Sequence, residues 1–192
     1  MFDITPYLQV RPAPAAVFDR AREAPSATRF YVRDGDDWRP VSWGAFADMI
    51  AQVSLFLPGV GLDRGERAAV FADNSVAWGA AALGIQAAGG VMVPIYPAST
   101  PDQAGYIVRH ADVRVLFVGS QDQLRRVFDA WPSCESVEQI VLLDDAIDPH
   151  RALADADPET RPNPSTVDVR ITRWPTVRQT SIDWRSIELR LD

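Results

Sequence analysis

The chain has 192 residues, 47% of them hydrophobic, and a net charge of −7, values that suit one globular domain, or one domain with a tail. Every basic residue is arginine and no basic stripe is present, which argues against nucleic acid as a partner. The single cysteine, Cys134, excludes an internal disulfide and fits a reducing, cytoplasmic setting. The first ten residues carry Asp3 and lack the basic-then-apolar order of a secretory signal.

In chain order, Ala13 to Ala24 reads as a short amphipathic helix stopped by Pro25. Thr28 to Arg33 and Trp38 to Trp43 flank Asp34-Gly35-Asp36-Asp37, an Asp-Gly hairpin signal. Ser42 is placed to cap a helix reaching about Leu57, with Phe46, Met49, Ile50, Val53 and Leu57 on its buried side. Strand and helix then alternate. Arg67 to Ala72 is an apolar strand and Asn74-Ser75 can cap a helix over Val76 to Ala88. Gly89-Gly90 precedes a strand from Val91, and Thr100-Pro101-Asp102-Gln103 is a capping box with proline at the first helical position. Val113 to Val118 is the next strand. Ser120 and Gln123 frame a second capping box, and Glu138 to Leu143 is a further strand. This alternation predicts an α/β fold: a parallel-rich sheet of about four core strands, helices on both faces, and an N-terminal β-hairpin.

Residues 74–101 are uncharged throughout, long enough in principle to cross a bilayer. Gly89-Gly90, Pro94 and Pro97 interrupt the run and its flanks are acidic, so the expectation is a buried helix followed by a central strand and no transmembrane segment. Beyond Asp145 the character changes. Five prolines, no glycine and no clean period predict a linker over 146–166 and a poorly determined end, so residues 1–145 form the structured portion and 146–192 a linker and tail.

Several patterns invite chemistry. Gly59, Gly61 and Gly65 precede a strand, whereas a dinucleotide fingerprint follows one, so they read as an αβ connection. Asp34, Asp36 and Asp37 lack the glycine and closing glutamate of a calcium loop. Cys134 with His110 or His150 has no local nucleophile signature. Trp78 and Trp131 read as core or contact residues. The loop Tyr96-Pro97-Ala98-Ser99-Thr100, with Asn74 and Ser75, lies beyond the carboxyl ends of parallel strands, where such sheets bind ligands. Turn formation and helix capping account for the same residues.

Together, Glu66-Arg67-Ala68-Ala69-Val70-Phe71, Asp73-Asn74-Ser75-Val76-Ala77-Trp78 and Ala87-Ala88-Gly89-Gly90-Val91-Met92-Val93-Pro94-Ile95-Tyr96-Pro97 resemble the AMP-forming acyl-CoA synthetases, nearest the long-chain fatty acid–CoA ligases. Pro40-Val41-Ser42-Trp43, Ser99 to Gln103 running into Ile107-Val108, and Val115 to Gly119 are similar to the same family. The likeness covers about residues 13–145 and implies the N-terminal portion of an adenylation domain. Members of that family use ATP and magnesium to activate a fatty or other carboxylic acid, then transfer the acyl group to coenzyme A.

The family holds phosphates with a Ser/Thr/Gly loop ending in Pro-Lys-Gly and assists adenylation with a lysine in a later domain. This chain has no lysine and no glycine after Gly119. Family catalytic, cofactor-binding and metal-binding residues therefore map to no position here. The expectation is an N-terminal fragment, inactive alone, that itself binds none of these cofactors. A truncated or frameshifted reading frame would produce that combination. The alternative is a non-catalytic binding or interaction module that associates with a separately encoded remainder.

Overall fold

The computed structural model describes residues 11–163 and 169–174. Helix α1 (Ala13–Glu23) buries Phe18 and Ala21. The hairpin of β1 (Thr28–Asp34) and β2 (Asp37–Ser42) turns at Gly35, where φ is +63°, a conformation open to glycine without steric cost. Ser42 Oγ accepts from the Ala45 N–H and opens α2 (Trp43–Gly59). The βα units follow: β3 (Arg67–Phe71), α3 (Val76–Ala87), β4 (Val91–Ile95), α4 (Pro101–Ala111), β5 (Val113–Val118), α5 (Gln121–Asp129), β6 (Gln139–Leu142), α6 (Pro149–Asp155) and β7 (Arg170–Arg173).

The five strands β3 to β7 form one parallel sheet in the order β4-β3-β5-β6-β7. Alternate residues serve opposite faces, as the period of a strand requires. Ala69, Phe71, Leu116, Val118, Ile140 and Leu142 pack with residues of α4, α5 and α6. Ala68, Val70, Val115, Phe117 and Val141 pack beneath α2 and α3. A third cluster joins α1, the hairpin and the outer side of α2 and α3, with Phe30 edge-on to Phe46 at 5.0 Å. Helix α3 is thus enclosed between the sheet and α1/α2, which explains its alanine-rich, uncharged sequence. Among the described residues no helix is long and apolar enough to cross a membrane.

Four expectations need correction. The strand after α3 is not central: β4 is the sheet edge, with Val91 48% exposed and Pro94 exposed. Pro94 has no N–H to give a second neighbour, so an edge is where it belongs. Among the described residues the sheet has five strands, not about four, because β7 pairs in parallel with β6 from Gln139–Arg170 to Leu142–Arg173.

The linker expected over 146–166 contains α6. Asp148 accepts from the His150 and Arg151 N–H groups, Pro149 opens the helix, and Ile147, Ala152 and Ala156 enter the core. A seven-residue helix is too short to show a period, which is why it reads as irregular. The second capping box is only half formed: Ser120 Oγ accepts from the Gln123 N–H, while Gln123 Oε1 is buried without a hydrogen-bond partner. The expected tail falls largely on residues 164–168 and 175–192, outside the described residues.

Helices α2 and α3 meet at Gly84, where an added Cβ would lie 2.3 Å from Val53 Cβ. Gly84→Ala is therefore expected to destabilise the fold by about 1–3 kcal/mol through overpacking. Gly79→Ala, on the same helix but 3.6 Å from the nearest Phe46 ring atom, should be neutral or stabilising by up to about 1 kcal/mol from helix propensity. Urea unfolding of the two variants checks the contrast.

Candidate functional site

Chain direction reverses between β3 and β5. From β3 the chain crosses through α3 to β4 on one side, and from β5 it proceeds through α5 to β6 on the other. Loops leaving adjacent strands in opposite directions open a crevice at the carboxyl edge, the topological switch point of a doubly wound sheet. The structure has an open crevice of about 630 Å3 there, lined by Asp73 and Asn74 after β3, Tyr96, Pro97 and Ala98 after β4, and Ser120, Asp122, Gln123 and Arg126 from the start of α5.

Close contact of β3 and β5 forms its floor. The Gly119 N–H donates to the Phe71 carbonyl at 3.0 Å, and a Cβ on Gly119 would lie 2.4 Å from Ala72 Cβ. Only glycine fits there. Three helices begin around this edge, each with a hydroxyl cap: Ser75 on α3, Thr100 on α4 and Ser120 on α5. Thr100 and Gln103 form the full reciprocal box, Gln103 N–H to Thr100 Oγ1 at 3.3 Å and Thr100 N–H to Gln103 Oε1 at 3.0 Å.

Arg126 ties the crevice together. Its guanidinium donates to the Pro97 carbonyl at 3.2 Å and the Ser99 carbonyl at 3.0 Å, and it pairs with Asp122. Hydrogen bonding from Arg125, aided by the charge of Arg126, holds the Asp122 carboxyl below its ordinary value. The loop after β4 is thus clamped to α5, with the Tyr96 ring left 74% exposed.

The expected loop residues Tyr96, Pro97 and Ala98 and the expected Asn74 do come together here. Ser75 and Thr100 act as caps, and Ser99 is buried at the edge of a second hollow beside Tyr106 and Ile107. Ser120, Asp122, Gln123 and Arg126 were missed by sequence reasoning. The signal was present, because a helix start directly after a parallel strand belongs to the same edge.

The other patterns lie elsewhere. Gly61 and Gly65, with φ of +87° and +81°, make the α2–β3 connection at the opposite end of β3. Asp34 pairs with Arg39 at the hairpin. Burial pushes the Cys134 thiol up to about 12, so it is protonated and unreactive at neutral pH. His110 stacks on Tyr106 at 5.5 Å, and Trp131 packs edge-on against Phe128 at 6.3 Å. Trp78 packs against the cluster between α2, α3 and the sheet.

With this geometry in view, the likeness to known proteins can be placed. A sequence model of the AMP-binding enzymes matches residues 17–179. The chain belongs to the AMP-binding enzyme family. Among its relatives is the long-chain-fatty-acid–CoA ligase ACSBG2 of Rattus norvegicus, 31% identical over 110 residues, which are 57% of this chain and 16% of the relative. The long-chain-fatty-acid–CoA ligase FadD15 of Mycobacterium bovis is 24% identical over 127 residues, 66% of this chain and 21% of that one.

Two solved structures share the fold at a TM-score of 0.62. An anthranilate CoA ligase in complex with anthranoyl-AMP is 22% identical, matched over 82% of this chain and 28% of its own. A coronafacic acid ligase from Pectobacterium brasiliense is 14% identical, matched over 84% and 28%. The parallel sheet with its flanking helices is therefore part of an adenylation-domain fold, and the match spans 16% and 21% of the length of the two long-chain-fatty-acid–CoA ligases.

The crevice holds charges of both signs. Here Arg126 is committed to two carbonyls and Asp122, while Asp73 and Asp122 add negative charge.

Arg126→Ala should free the loop after β4. Amide exchange across residues 96–100 is expected to accelerate while β3 and β5 stay protected, with about 1–3 kcal/mol lost for hydrogen bonds from a charged donor. Acid should act similarly. A carboxyl held below its ordinary value contributes stability that is present above pH 3.8 and lost as pH falls further. Protection of the loop amides, measured relative to unstructured peptide at the same pH, should therefore fall below about pH 4 in the native chain, and Asp122→Asn should remove that step.

Proposed function

We propose that this chain is the N-terminal portion of the adenylation domain of an AMP-forming acid–CoA ligase, acting on a fatty or other carboxylic acid in the cytoplasm. In that reading ATP, magnesium and coenzyme A are the co-substrates and metal of the whole enzyme, and these 192 residues alone neither bind them productively nor catalyse adenylation. Residues 1–145 are then the main adenylation-domain portion, and the family match carries the likeness beyond the expected end near Asp145, on to residue 179.

One observation carries the proposal. The family model matches residues 17–179, which include the βα units around the crevice, while the chain contains no lysine and no glycine beyond Gly119. Phosphate transfer chemistry in a site of this kind depends on positioned cations and on backbone N–H groups that approach the phosphates closely. The chain thus supplies one wall of a site and none of its reacting groups, so no catalytic, cofactor-binding or metal-binding residue is assigned.

A second reading is that the chain serves as a module that pairs with a separately encoded remainder. It is favoured by the outer edge of β7, which has no strand partner among the described residues, and by half-exposed Ile171 on that strand. An open parallel edge is a place for further strands to add.

Purified chain incubated with ATP, magnesium, coenzyme A and a series of fatty acids should release no pyrophosphate above an acid-free control. Acid-dependent release would overturn the assignment of inactivity. Recovery of activity on mixing with a remainder carrying the phosphate loop would select the second reading.

A further inference from the structure

The hairpin carries a surface that neither the sheet nor the crevice explains. Its inner face, Phe30, Val32 and Val41, packs into the cluster with α1 and α2. The strand period sends Tyr31 and Arg33 of β1 and Trp38 and Pro40 of β2 to the outer face. Register places Tyr31 opposite Pro40, and Arg33 opposite Trp38. All four are exposed, Tyr31 at 64% and Trp38 at 61%. Tyrosine, tryptophan and arginine gathered on one exposed face are the residue types that dominate protein contacts.

The edges of this two-stranded sheet are blunted. Pro40 offers no N–H on β2, and the exposed Arg39 places a charge on that edge strand. Strand β1 has a register shift between Thr28 and Phe30, which interrupts a regular ladder. The face, not the edge, is the surface available to a partner.

We propose that this outer face is the contact between two copies of the chain, packed face to face about a two-fold axis. The four residues form a grid of two rows, Tyr31 beside Pro40 and Arg33 beside Trp38. An axis in the plane of contact and across the strands places Arg33 on Tyr31 of the second copy and Trp38 on its Pro40. An axis along the strands places Arg33 on Trp38 and Tyr31 on Pro40. In both arrangements each guanidinium meets an aromatic ring, each proline meets an aromatic ring, and Arg33 never meets itself. Cation–π contacts and aromatic–proline packing are favourable, so the face is complementary to itself as a two-fold contact requires. Its small extent makes the dimer weak and concentration-dependent.

Sedimentation velocity of the full chain, from about 1 µM to about 1 mM, reads this association across the range of weak complexes. The expected result is a monomer–dimer equilibrium whose dissociation constant rises at least tenfold in Trp38→Ala and in Arg33→Glu. Leu55→Ala, an exposed apolar change on α2, should leave it unchanged. Because Trp38 and Arg33 are exposed, both variants should keep the native circular dichroism spectrum. If Trp38→Ala does not fold, Arg33→Glu decides. A chain that stays monomeric throughout overturns the proposal. So does a dimer that persists unchanged in the folded Trp38→Ala or Arg33→Glu variant, because edge pairing or another surface would then hold it.

Discussion

The structure depends on the burial of β3. Residues 68–71 are completely enclosed, with parallel neighbours on both sides and helices on both faces. A strand without solvent on any side cannot alternate polar with apolar residues, so it reads as a continuous apolar run. Ala68 is small enough for α3 to lie close on one face, while Phe71 reaches into the cluster of α4 and α5 on the other. The chain also leaves β3 in one direction and returns past it in the other. The crevice is thus a consequence of strand order, before any side chain is considered.

The two ends of the sheet are built differently. At the amino-terminal end, charges close the edge. Arg114 bridges Glu66 at 2.9 Å and Glu138 at 2.7 Å, while Arg67 donates to the Ala111 carbonyl at 2.7 Å and pairs with Asp112. These pairs join the starts of β3, β5 and β6 across the sheet. At the carboxyl end Arg126 grips carbonyls of the loop after β4, while Arg125 pairs with Asp122 and Asp129 within α5. One end is sealed by strand-to-strand ion pairs, and the other keeps a shaped opening whose walls are loops held from outside.

Where local chemistry decides, the fold was legible in the sequence. The hydroxyl caps Ser42, Ser75, Thr100 and Ser120, the Asp-Gly hairpin and the apolar runs of β3 and β5 each report a nearby physical requirement, and each element forms where that requirement lies. Strand order is set by long-range pairing and left a weaker mark. Pro94 held the information that β4 is an edge, and it was outweighed by the uncharged run around it. Helix α6 and strand β7 are stabilised by tertiary burial of Ile147, Ala152 and Ala156 and by pairing to β6, neither of which leaves a local period. Half of the crevice was legible for the same reason. Tyr96, Pro97, Ala98 and Asn74 follow strands directly, whereas Arg126 reaches the site from one full turn inside a helix.

A fold that locates a ligand face need not supply the reacting groups. In this chain the crevice has a structural account of its own. Strand order, the Gly119–Ala72 contact and the Arg126 clamp are sufficient to form and hold the crevice, and none of them requires a ligand. The groups that would stabilise charge developing on a phosphate are different in kind, because they must be cations and backbone N–H groups left unsatisfied until substrate arrives. In the described crevice the cation is already satisfied by protein carbonyls and a carboxylate. Its donors stabilise the loop itself: Arg126 holds the Pro97 and Ser99 carbonyls, beside the exposed Tyr96.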